Sequence, residues 1–323
     1  MKKRIKNILA IGAGITAVTV GAAIVSRKTT EYLVKIALDR EMPKYNPRTE
    51  KLITGSDFDR DFLDTLEKSA EELEKKPHET VTITASDGIT LVGHWFSVQN
   101  PKRTIVAMHG WRSSWARDFG TIADFWLDNG CNVLFAEQRG QNNSGGDFIG
   151  FGLTERFDCL DWAKWVDEKE NKSLPIYLAG VSMGATTVLM ASGLELPENV
   201  HGIAADCGFT SPHDIWKHIS ENNLHIPYGY TGLVADSICR RKIQLGTKEY
   251  STLDALKTNK IPVMFIHGAA DSFVPVEMSY ENYKACAAPK TIFIVPEANH
   301  AMSYYCEKEK YEKAVKEFWK NCD

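Results

Sequence analysis

The chain lacks any cysteine pattern able to build a scaffold or hold a metal. Its seven cysteines, Cys131, Cys159, Cys207, Cys239, Cys286, Cys306 and Cys322, are odd in number, widely spaced and free of C-x-x-C. That excludes a disulfide framework and a zinc–thiolate site, and the thiols read as free and mostly buried, in a reducing setting. No H-E-x-x-H occurs, and His213 and His218, five apart, fall off one helical face, so no metal is expected. There is no G-x-x-x-x-G-K phosphate loop. There is no surplus of positive charge: 38 basic against 42 acidic residues give a net charge of −4, which speaks against a nucleic-acid partner. Internal repeats and low-complexity linkers are also missing. What remains is 323 residues with 43% hydrophobic content, enough for one large domain or two small ones around a buried core.

One long uncharged run is present. Residues 8–25, "ILAIGAGITAVTVGAAIV", follow Lys2, Lys3, Arg4 and Lys6 and precede Arg27 and Lys28. Gly12, Gly14 and Ala17 mimic a dinucleotide fingerprint, but the second strand and acidic residue which that motif requires do not follow. A cleaved signal peptide lacks a clean small-x-small site. Eighteen uncharged residues just span a bilayer core, so the favoured reading of residues 1–28 is an uncleaved membrane anchor, with a buried soluble helix as the plain alternative. The many buried thiols favour a cytoplasmic side for the rest of the chain.

Residues 29–77 read as a helical connector. Phe58, Phe62, Leu63, Leu66, Ala70 and Leu73 make one apolar face, with Ser56 as its cap. From residue 78 the pattern changes. Two alternating strands flank Asp87-Gly88, a hairpin signal. Short apolar runs then alternate with helical stretches: 104–110, 132–140, 175–182, 200–209, 262–271 and 291–300. Such alternation predicts a mostly parallel sheet covered by helices on both faces, with ligands bound at the carboxyl ends of its strands. Residues 210–260 interrupt the rhythm and read as a small cap insertion.

The chemistry gathers at those strand ends. Gly180-Val181-Ser182-Met183-Gly184 lies between an apolar strand and a helix, the context of a nucleophile elbow. A serine hydroxyl needs a base, and the base an orienting acid. His300 and Asp271 end later strands in the expected chain order, with Asp206 as the rival acid. An oxyanion hole needs two backbone N–H groups, assigned to Met183 and to Trp111 in "HGWRSSW". Phe209 and Trp216 are candidate pocket aromatics, with core packing as their other reading. His267, beside Gly268, reads as structural.

The ordered segments "MHGW", "EQRGQNNSGG", "GVSMGA", "HGAADSFVP" and "EANH" resemble those of the α/β-hydrolase superfamily. Within it they look most like the bacterial esterase, lysophospholipase-like and serine-aminopeptidase-like branch, many of whose members carry an N-terminal anchor. The resemblance covers about residues 78–323 and implies the α/β-hydrolase fold and a serine hydrolase without cofactor. One stretch departs. Where the family shows D-x-R-G-H-G-x-S, this chain has Glu137-Gln138-Arg139-Gly140-Gln141-Asn142-Asn143-Ser144, which weakens any transfer of substrate preference. The expected substrate is a small-molecule acyl ester, cleaved through an acyl-enzyme. The alternatives are a peptidase or thioesterase of the same fold, or a membrane-tethered binding protein without activity.

Overall fold

The computed structural model describes residues 25–41, 53 and 60–323. Most of the expected anchor, and Ser56 and Phe58 of the connector, lie outside the described residues. No described helix is long and apolar enough to cross a membrane.

Eight strands form one sheet: β1 (Glu79–Thr84), β2 (Thr90–Phe96), β3 (Arg103–Met108), β4 (Cys131–Ala136), β5 (Ile176–Val181), β6 (Val200–Asp206), β7 (Val263–Gly268) and β8 (Lys290–Val295). Their order is β1-β2-β4-β3-β5-β6-β7-β8. β2 pairs antiparallel with β1 and β4, and every later pairing is parallel. The Asp87-Gly88 hairpin forms as expected, with Gly88 at φ 88°, a conformation that suits a residue without Cβ.

Among the described residues ten helices pack around this sheet, preceded by α1 (residues 25–38). They are α2 (Arg60–Glu74), α3 (Trp115–Asp128), α4 (Glu155–Lys169), α5 (Met183–Ala191), α6 (Pro212–His218), α7 (Tyr228–Ile243), α8 (Thr252–Leu256), α9 (Val276–Ala285), α10 (Ser303–Cys306) and α11 (Lys308–Cys322), α10 being a single short turn. Because side chains alternate along a strand, each inner strand feeds two cores. Val106, Met108, Leu134, Leu178 and Phe265 meet Trp162 of α4 and Val188 of α5. Ile105, Ala107, Phe135, Tyr177 and Ile266 meet Phe119 of α3 and Phe318 of α11.

α2 carries the apolar face read from the sequence. Phe62 and Leu73 are buried, and Leu66 packs on Val295, Ala298 and Met302. It approaches α3 closely at Gly120, where a Cβ would lie 2.6 Å from the Ser69 carbonyl carbon. Gly120→Val should therefore force the two helices apart and destabilise the protein by roughly 1–3 kcal/mol. A thermal melt unchanged from wild type would contradict that contact.

Between β6 and β7 the chain forms α6, a π-helical turn over Ile219–Asn223, α7 and α8. Ile215, Trp216, Tyr228, Ala235 and Ile238 of this region cluster with Met183, Phe209 and Phe273 at the strand ends. Val34, Ile36 and Leu38 of α1 join the same cluster. The residues read from sequence as a connector thus contribute to the core above the strand ends.

Candidate active site

Ser182 occupies the turn between β5 and α5 with φ 55° and ψ −116°. A side chain at positive φ is strained, and such strain gathers at functional sites. The flanking glycines are dictated by space. A Cβ on Gly180 would run into the Gly184 backbone, and one on Gly184 into the Met108 carbonyl. The Ser182 N–H donates to the Asp206 carbonyl at 2.8 Å, which ties the turn to β6.

His300 follows β8, and its Nε2 lies 2.9 Å from Ser182 Oγ. Its Nδ1 lies 2.7 Å from Asp271 Oδ2. The other Asp271 oxygen, Oδ1, accepts the N–H groups of Phe273 and Val274, both at 2.9 Å. The structure therefore joins the three residues expected from the sequence into one line. Asp206, the rival acid, instead accepts from Ser303 Oγ at 3.2 Å.

The electrostatics follow from this line. Burial opposes ionisation of Asp271, but the charge of His300 and the hydrogen bonds from His267 and His300 hold it well below the usual carboxylate range. Burial likewise opposes a charged His300, yet the Asp271 carboxylate overrides it and raises the imidazole well above its ordinary value. Asp206 is pushed up to about 6, chiefly by burial. Cys207, Asp271 and His300 place potential ligand atoms within 4.8 Å of one another. Metal binding would require a thiolate, whereas burial pushes the Cys207 thiol up to about 11.

The Trp111 loop completes the site. Gly110 N–H donates to Asp118 Oδ2 at 2.6 Å, and Arg112 N–H to Gln141 Oε1 at 2.6 Å. Among the described residues the Trp111 N–H between them has no acceptor. Met183 opens α5, so its N–H has no partner within the helix. Trp111 and Ser182 border a cavity of about 630 Å³, with His300 and Phe273 beside them. Phe209 is buried outside the lining of this cavity, its ring 6.0 Å from that of Phe151. Trp216 lines an adjoining cleft.

A model of the prolyl oligopeptidase family matches residues 117–322, more than half of the chain. The protein belongs to the prolyl oligopeptidase family. It is 27% identical over 323 residues to YqkD, an uncharacterized protein of Bacillus subtilis, a likeness that covers 98% of this chain and 97% of that one. Solved structures similar in fold include the esterase Pf2001 of Pyrococcus furiosus. Its TM-score is 0.64 at 23% identity, over 78% of this chain and 93% of that one. The acylaminoacyl peptidase of Pyrococcus horikoshii has a TM-score of 0.56 at 17% identity, over 79% of this chain and 43% of that one. This member of the prolyl oligopeptidase family is a serine hydrolase of the α/β-hydrolase fold.

Three features of this family member were not anticipated from its sequence. His267 Nε2 faces two acceptors, Asp271 Oδ2 at 3.1 Å and the Val274 carbonyl at 2.9 Å, so Nε2 carries the proton. Its Nδ1 then accepts from Ser279 Oγ at 2.6 Å. His267 is thus a fully buried donor that orients Asp271, and the one available signal was its spacing of four before that aspartate. His267→Phe is expected to lower kcat by about 10-fold to 100-fold, the usual cost of losing an orienting partner, with KM little changed. A proportionate rise in KM would contradict an orienting role. Second, the divergent loop serves the site: Gln141 holds Arg112, and Asn142 Nδ2 donates to the Ser113 carbonyl at 3.0 Å. Third, α1 meets the Trp111 loop directly, with Trp111 Nε1 donating to the Ala37 carbonyl at 2.9 Å.

Proposed function

We propose that the protein hydrolyses carboxylic esters through a covalent acyl-enzyme on Ser182. The observation that carries this reading is the line from Ser182 Oγ through His300 to Asp271, at 2.9 and 2.7 Å. Ser182 Oγ attacks the ester carbonyl while its proton passes to His300 Nε2. The oxyanion accepts hydrogen bonds from the Met183 and Trp111 N–H groups. His300 then gives its proton to the departing alcohol oxygen. Water attacks the acyl group, losing its proton to His300, which returns it to Ser182 Oγ as the carboxylic acid leaves. Asp271 holds the imidazole and stabilises its cation. An ester is favoured because an alkoxide leaves with less assistance than an amine.

The test is a fluorophosphonate probe on intact protein. Labelling that maps to Ser182 and vanishes in Ser182→Ala supports the reading, and equal labelling of both proteins sinks it. A peptide substrate is the second reading, favoured by the family name and by the acylaminoacyl peptidase among the similar folds. Faster cleavage of aminoacyl p-nitroanilides than of p-nitrophenyl esters would select it.

We also propose that the uncharged run at residues 8–25 tethers the protein to a membrane, a reading supported by its length and its basic flank. Full-length protein recovered in the soluble fraction of a cell lysate would overturn it.

A further inference from the structure

A second cavity, of about 530 Å³, lies between α1 and the helices that follow β6. Leu33, Val34 and Ala37 of α1 form one wall; Trp216, Ile219 and Ala235 form the other. Its volume falls in the range of small-molecule pockets, roughly 300–1,000 Å³. No charged side chain lines it among the described residues. Three of its hydroxyls are already engaged: Thr30 with the Ser26 carbonyl, Ser220 with that of Ile226 and Thr231 with that of Pro227. The wall offers mainly hydrocarbon, with Trp216 Nε1 and Tyr228 OH as buried polar atoms that lack a partner among the described residues.

This cleft adjoins the Ser182 cavity. Trp111, Phe273 and Ile53 border both. Phe273 stands edge-on to the His300 ring with centroids 5.0 Å apart, and Trp111 carries the free N–H of the loop. An acyl chain pointing from the carbonyl carbon toward Trp111 and Phe273 points toward the cleft.

The α1 wall is fixed in place. Arg112 Nε and Nη2 donate to the Ile36 carbonyl at 2.9 and 2.6 Å, and Nη2 also reaches the Asp39 carbonyl at 2.6 Å. Arg40 donates to the carbonyls of Asn142 and Ser144 at 2.6 and 2.5 Å. Lys242 of α7 pairs with Asp39 at 2.7 Å, which closes the two walls on each other. A wall clamped at these points selects by size, since it cannot give way without breaking several charge-assisted hydrogen bonds.

We propose that the cleft between α1 and the helices after β6 binds the aliphatic acyl chain of the substrate, and that α1 sets the preferred chain length. The proposal rests on the acyl-enzyme reading above and adds its substrate class: esters of medium-length, unbranched fatty acids. α1 precedes the residues matched by the family model, so this wall is not part of that match.

The test uses full-length protein and alkyl fluorophosphonates with methyl, butyl and octyl chains on phosphorus, with the rate of Ser182 modification read by mass spectrometry. Burying several methylenes should make octyl at least roughly tenfold faster than methyl. Ala37→Phe and Leu33→Trp, which fill the cleft from α1, should bring that ratio close to one. Ala235→Leu fills it from the opposite wall and carries the test if an α1 variant does not fold. An unchanged octyl-to-methyl ratio in the folded variants overturns the proposal, as does a wild-type rate indifferent to chain length. Chain-dependent labelling without turnover of octanoate esters would leave the cleft standing and overturn the ester reading alone. No labelling of Ser182 by any probe would overturn both.

Discussion

Ser182→Ala is expected to lower kcat/KM for a p-nitrophenyl ester by roughly 10⁵-fold or more, with the protein still folded. Loss of a nucleophile in a hydrogen-bonded line of this kind costs on that order, and what remains comes from the oxyanion donors and binding. His300→Ala should cost about as much, and the double variant little more, because the two residues act as one unit. Additive losses would show that Ser182 and His300 work separately. A second substitution separates chemistry from strain. Ser182 sits at φ 55° and ψ −116°, a conformation that glycine adopts freely. Ser182→Gly should therefore be equally inactive yet more stable than wild type by about 1 kcal/mol, measured by urea unfolding. A less stable glycine variant would show that the turn is not strained.

Asp271→Asn is expected to lower kcat by about 10⁴-fold, for a reason visible in the hydrogen bonds. Asp271 Oδ1 accepts two backbone N–H groups, so the single oxygen of an asparagine amide is committed there. Its NH₂ must then face His300 Nδ1, which is forced to accept. The proton moves to Nε2, where it faces Ser182 Oγ and the imidazole can no longer take the hydroxyl proton. The same NH₂ would also confront the His267 Nε2–H. Asp206→Asn should cost less than about tenfold, since Asp206 bonds Ser303 rather than His300. The reverse pattern would assign the acid to Asp206.

The pH profile adds an independent sign. In wild type the neutral imidazole is the working base, and His300 is raised above its ordinary value because the Asp271 charge outweighs burial. Activity should fall as pH falls through that raised value, so the acid limb of kcat/KM lies above the usual imidazole range near 6.5. Asp271→Asn removes the raising charge, leaves burial to act, and should move the limb to lower pH. A limb that stays in place would detach the ionisation from this pair.

The strand pattern was legible because alternation and apolar runs are local properties. β5, predicted over 175–182, spans Ile176–Val181, and β8, predicted within 291–300, spans Lys290–Val295. Sheet order is not local. β2 pairs with β4 rather than with its neighbour β3, and nothing in either segment announces that. Ser182, Asp271 and His300 were legible because each ends an apolar run in the right chain order. Asp271 could be preferred to Asp206 in the sequence because it ends the strand before that of His300, and the His300 Nδ1 contact falls on Asp271. Gln141 and Asn142 stood out in sequence only as departures from a family pattern, and their bonds to Arg112 and Ser113 depend on how two distant loops meet. Residues 25–38 could be read as helical, but helical periodicity does not say what the helix covers.

The clamp on α1 also orders events in folding. α1 leaves the ribosome before any strand, yet its anchoring partners come much later. Arg112 lies 76 residues beyond Ile36, and Ser144 lies 104 beyond Arg40. Contacts across such separations close large loops and form after the local ones. The Trp111 loop leans on α1 through Arg112 and the Trp111 indole, so loop and helix are fixed together. In a nascent chain Arg112 and Ser144 emerge ahead of Ser182, so these partners of the α1 wall are available before the nucleophile turn between β5 and α5 has been made.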